Sequence, residues 1–171
     1  MKGQGQGPPT YIPPNPQNPI HPPYTGPNYQ GFVFTLPSSS NKPTHILTIT
    51  TQIVDGSLFE AASISGTWQG DGSPKAMTGL IIENGRGINC GWVNDPTNPT
   101  VQNNLVGTLS SYSTTGKFGQ VNAQPSAYLE GTVTSYDFGT TTVRQGDGPG
   151  NVSGEGYGPP PPPLSSIGAE A

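Results

Sequence analysis

The sequence predicts an all-β protein, an antiparallel meander closing as an up-and-down barrel of about eight strands. Three observations carry that reading. Four segments repeat one pattern, with a Gly between two large apolar residues: Ile64-Ser65-Gly66-Thr67-Trp68, Met77-Thr78-Gly79-Leu80-Ile81, Leu105-Val106-Gly107-Thr108-Leu109 and Leu129-Glu130-Gly131-Thr132-Val133. Two dipeptides, Asp55-Gly56 and Asn84-Gly85, stand between runs of alternating polarity, the strongest short-range signal for a tight hairpin. The prolines at 37, 43, 74, 96, 99 and 125 all fall between strand-like runs, where a residue lacking an N–H does not interrupt a ladder. A two-sheet β-sandwich is the alternative that the same strand count allows.

The glycines matter because residues i, i+2 and i+4 of a strand share a face. Each Gly therefore sits in the middle of an apolar face, where it lets the strand bend or another group approach. Repeated, this describes a curved sheet wrapped around its own core.

Composition divides the chain. Of 171 residues 30% are hydrophobic and 9% charged, with 25 Gly and 21 Pro, fractions below those of an average globular domain. Nine prolines lie within residues 1–27 and six within 146–171. Residues 1–29 therefore read as a Pro-rich disordered arm, 30–145 as the antiparallel β domain, and 146–171 as a Gly/Pro-rich disordered tail. Proline tracts at 8–27 and 159–163 favour polyproline II, which suits either a spacer or a protein partner with an aromatic-lined groove. Tyr11, Tyr24 and Tyr29 offer a third option, pinning the arm along the domain.

Within the domain, strands are expected at 30–36, 45–54, 57–68, 77–83, 86–94, 104–112, 117–123 and 127–138, with a last short one at 140–144. A two-residue turn at Asp55-Gly56 pairs Ile53 with Leu58, Ile49 with Ala62 and Leu47 with Ile64, leaving Thr48, Thr50 and Gln52 on the polar face. At Asn84-Gly85 the same counting pairs Ile81 with Ile88, Gly79 with Cys90 and Met77 with Trp92.

The Gly-centred strands resemble the meander of the avidin and streptavidin family, Ile64-Ser65-Gly66-Thr67-Trp68 being the best match. Calycins more widely, lipocalins included, also carry a Gly-x-Trp near the start of the barrel. The resemblance covers residues 64 to 137 and implies a barrel around one small ligand. The sequence departs from it in three ways. A hairpin and a further strand precede Trp68, Gly70 stands where the biotin loop uses Asn, and only Trp68 and Trp92 supply indoles. Ser73 falls near a ligand-binding serine of that family. The pattern thus supports the barrel and argues against biotin.

Charge and motif content exclude several function classes. A net charge of −4 with six dispersed basic residues gives no nucleic-acid footprint. No apolar run approaches a membrane span, and Met1-Lys2-Gly3-Gln4-Gly5-Gln6 lacks the apolar stretch of a signal peptide. The Ser/Thr/Asn-rich composition nonetheless suits a surface or extracellular protein, in which Asn151-Val152-Ser153 would be a glycosylation sequon. One cysteine, Cys90, excludes an internal disulfide. His21 and His45 have no Ser or Cys partner at useful spacing, no set of metal ligands converges, and no cofactor motif is present. An enzyme is not expected.

The expected function is a non-enzymatic binding domain, taking a small apolar or amphipathic ligand in the barrel or a glycan on an exposed aromatic face. The alternative is a structural or assembly module acting through edge strands and the Pro-rich tails. Five residues are candidates for ligand contact. Trp68 and Trp92 lie on the core face, and Tyr112 and Tyr136 end the two long repeats on the polar face. Glu60 falls by register on the core face beside Leu58 and Ala62, either as an interior polar anchor or turned out by a bulge.

Overall fold

The computed structural model describes residues 7–12, 21–37, 44–70, 72–116, 124–139, 144–145 and 149–160. Their strands are β1 (Thr10–Ile12), β2 (Val33–Leu36), β3 (His45–Asp55), β4 (Ala62–Gln69), β5 (Lys75–Ile82), β6 (Gly87–Val93), β7 (Val101–Ser113), β8 (Ser126–Asp137), β9 (Arg144–Gln145) and β10 (Gly150–Tyr157). Eight of them close a barrel in the order β3-β2-β10-β8-β7-β6-β5-β4, with β4 returning to β3. Every pairing around the ring is antiparallel. A barrel of this size has an interior that side chains just fill, and here they do. Phe34, Leu36, Leu47, Ile49, Ile81, Ile88, Leu105 and Leu129 are all completely buried.

The repeated glycines lie on the inner face, between buried neighbours on β4, β5, β7 and β8. What lies against them is main chain rather than a large side chain. A β-carbon on Gly66 would meet the Thr48 carbonyl oxygen, and one on Gly79 would meet Asn89 and Cys90. Gly107 and Gly131 face each other directly across β7 and β8. The strands coil so tightly at these points that the direction of a side chain runs into the neighbouring strand.

The second hairpin keeps its expected register, Ile81 with Ile88 and Gly79 with Cys90. Its turn holds Asn84 at φ +52° and Gly85 at φ +99°, the left-handed conformations that a primed turn needs. The first hairpin does not keep its register. Asp55-Gly56 is no two-residue turn: the last pair is Val54 with Ala62, and a longer loop joins β3 to β4. A bulge between Ile49 and Thr51 then reverses the alternation, so that Leu47 and Ile49 point inward before it and Gln52 and Val54 after it. Counting outward from a two-residue turn cannot detect either change.

Two segments expected in the tails belong to the folded structure. Gly150–Tyr157 is a full barrel strand, sealing β8 to β2. Its Val152-Ser153-Gly154 repeats the apolar-x-Gly pattern of the other strands, a signal outweighed by the surrounding Gly and Pro. Residues 22–32 cross one mouth of the barrel, with Tyr24, Tyr29 and Phe32 buried. Of the remaining expectations, 117–123 and most of 140–144 lie outside the described residues.

Candidate functional site

The five candidate residues fall in three separate places. Trp68 and Trp92 come together at the mouth formed by the start of β3 and the ends of β4 and β6. Their rings stack 4.2 Å apart at 16°, and His45 stacks on the other side of Trp68 at 5.2 Å. All three are buried. Beside them Asn103 donates to the Trp92 carbonyl (3.3 Å) and to Asn94 Oδ1 (2.9 Å), while Ser135 donates to Asn103 Oδ1. This polar set fixes the floor of that mouth. Asn103 and Ser135 were missed from sequence, yet both occupy inward positions in otherwise apolar alternation.

Tyr112 belongs to the opposite mouth. Its expected outward direction is reversed by an irregularity between Ser110 and Ser113, with Ser111 at φ +58°. The ring turns in to lie 5.7 Å from Tyr29 and 6.1 Å from Phe32. Gln52, completely buried, organises this end. Its Oε1 accepts from the Tyr29 N–H (2.8 Å) and its Nε2 donates to the Pro27 carbonyl (3.1 Å). The Tyr29 hydroxyl donates to the Gly85 carbonyl and the Tyr24 hydroxyl to that of Pro27. Burial raises the pKa of all three tyrosines, helped at Tyr24 by its neighbour Tyr29 and at Tyr29 by Tyr112.

Glu60 also sits at this end, outside the barrel, the second of its two options, though a loop and not a bulge puts it there. The longer β3–β4 loop carries it at φ +50°. Its N–H donates to the Pro22 carbonyl and its carbonyl accepts from the Asn84 N–H. Its backbone thus ties the arm and the second hairpin turn to one loop.

Tyr136 alone is exposed, at 41%, and it faces the outer wall with Phe138 at 48%. The two rings lie 6.4 Å apart and are tilted by 43°. They form one side of a shallow groove of about 460 Å³ that crosses β5, β6, β7 and the end of β8. Gly91, on the outward face between Thr78 and Asn104, leaves the floor without a side chain. Asn104 donates to Asn89 Oδ1 and to the Cys90 carbonyl, both at 2.9 Å, which holds its amide in place along the groove. None of the lining residues is charged.

Cys90 is packed in the core, and burial pushes its thiol up to about 12, a state without thiolate at neutral pH. Among the described residues no three His, Cys, Asp or Glu side chains gather as metal ligands. No helix among them is long and apolar enough to cross a membrane. No known protein family, curated protein or solved structure matches the chain.

Proposed function

We propose that this protein is a non-enzymatic binding domain whose ligand is a neutral glycan held on the outer wall. The observation that carries the reading is the groove beside Tyr136 and Phe138. Two exposed aromatic rings, tilted against one another, offer flat apolar faces to the C–H-rich face of a sugar ring. The Gln102 amide and the Asn104 amide oxygen line the same groove and can accept from sugar hydroxyls, the Asn104 nitrogen being held by Asn89 and Cys90. The absence of charge among its lining residues favours a neutral sugar over a uronate or a sialylated chain.

The barrel interior is the weaker candidate for a small apolar ligand, because its central positions are filled by buried side chains. Isothermal titration against a panel of neutral oligosaccharides tests the wall site. Tyr136→Ala and Phe138→Ala should each weaken binding about tenfold, a loss of about 1.4 kcal/mol. Val33→Ala, also exposed but on β2, should leave it unchanged. No binding across the panel, or binding indifferent to both aromatic variants, overturns the reading.

A further inference from the structure

Taking the glycan reading of the Tyr136 groove as the premise, we infer that the same outer wall carries a second subsite. Glu130, Thr132, Asn151 and Ser153 form it, and it takes further units of the sugar chain held beside Tyr136. The alternation of β8 places the two sites in line. Glu130, Thr132, Thr134 and Tyr136 stand on its outer face, while Leu129, Val133 and Ser135 are buried. Tyr136 and Thr132 are four residues apart, about 14 Å along a strand, so one extended oligosaccharide can touch both.

A hollow of about 540 Å³ lies at this second place, lined by all four residues and by Pro37. It exists because the strands around it differ in reach. β10 pairs with β8 from Gly150 to Tyr157, but β2 pairs with β10 only through Gly156 and Tyr157. β2 then ends at Leu36, before Pro37, which has no N–H to continue a ladder. The outward side chains of β8 and β10 meet beside that gap in two pairs, Glu130 opposite Ser153 and Thr132 opposite Asn151.

Their chemistry suits sugar hydroxyls. The Thr132 hydroxyl donates to Asn151 Oδ1 at 2.9 Å, which fixes that amide and leaves its NH₂ as a donor. The Ser153 hydroxyl both donates and accepts, and the Glu130 carboxylate offers a pair of acceptor oxygens to hydroxyls on neighbouring carbons. The path from the Tyr136 groove is uncharged, with Asn104 opposite Thr134 and Val106 opposite Thr132. Val106 is 52% exposed and gives the C–H face of a sugar an apolar partner. The charge that Glu130 adds is negative, so it repels uronates and sialylated chains and keeps the preference for a neutral glycan.

Isothermal titration of the full chain with cello-, xylo- and manno-oligosaccharides of rising length tests the second subsite. Affinity should rise about tenfold once the ligand spans both places, the gain that one or two added hydrogen bonds give. Asn151→Ala combined with Glu130→Gln should abolish that rise, with a thermal melt matching the parent chain. Three results overturn the subsite while leaving the Tyr136 groove standing: affinity level with length, a rise that persists in the double variant, or an equal loss of binding at every length. No binding at any length in any series overturns the groove and the subsite together.

Discussion

A β-carbon on Gly79 would stand 2.2 Å from the Asn89 carbonyl oxygen and 2.4 Å from the Cys90 α-carbon; one on Gly131 would stand 2.6 Å from the Val106 carbonyl oxygen. These obstacles are backbone and cannot rotate away. Valine ordinarily favours a strand, but Gly79→Val and Gly131→Val should each lower stability by about 1–3 kcal/mol, as overpacking does. Gly7→Ala, with nothing within 4 Å, should change nothing. Chemical denaturation measures all three, and a stabilised Gly131→Val would show that β7 and β8 have room to separate. That these glycines face inward was legible in sequence, because Met77 and Ile81, and Leu129 and Val133, bracket them at even spacing. What fills the space above them was not. Asn89 and Cys90 fill it at Gly79 and Val106 at Gly131, since strand coiling brings main chain to the spot first.

The element only half legible in composition is the segment 22–32 lying across one barrel mouth. Its prolines read as spacer because its partners, Gln52 and Gly85, are distant in sequence, whereas Tyr24 and Tyr29 offer the pinning that their burial shows. Counting from Asp55-Gly56 puts Gln52 outward, and only the bulge two residues earlier brings it in to meet Tyr29. A second irregularity relocates Tyr112: between Ser110 and Ser113 the register shifts, with Ser111 at positive φ, and a one-residue slip reverses the side chains that follow it. A linear pattern therefore located strands well and candidate contacts poorly, and of the five only Tyr136 stands on a solvent-facing wall. The plug has a clear pH signature. Burial keeps the Tyr24, Tyr29 and Tyr112 hydroxyls protonated in the folded state above the ordinary tyrosine value of about 10. In the unfolded chain they ionise at that ordinary value, so above it the unfolded state binds fewer protons and stability falls as pH rises. Below it the contribution is fully present. Circular dichroism and tyrosinate absorbance, followed together through alkaline pH, should show ionisation of these residues coincident with unfolding. Their free titration near pH 10 in an intact fold would place them in contact with water.

Across the whole molecule, the barrel leaves few open edges. β10 joins β8 along eight residue pairs and meets β2 through Gly156 and Tyr157. Ending the chain after Pro149 removes this seam and leaves β2 and β8 with unpaired N–H and C=O groups, a template for association. Such a chain should lose its sharp thermal transition and scatter light on standing, while the full chain does neither. A truncated chain that melts cooperatively as a monomer would mean that β2 and β8 pair directly.

The seam also sets an order of events. Phe34 and Gly156 are paired across more than 120 residues of sequence, the kind of distant contact that slows folding. Strands β3 to β8 each find a partner next to them in sequence and can assemble as synthesis proceeds. β2 offers one edge to β3 and must keep the other vacant until β10 leaves the ribosome. The nascent sheet therefore stays open and curling while β3 to β8 emerge, and it becomes a barrel only when β10 joins them.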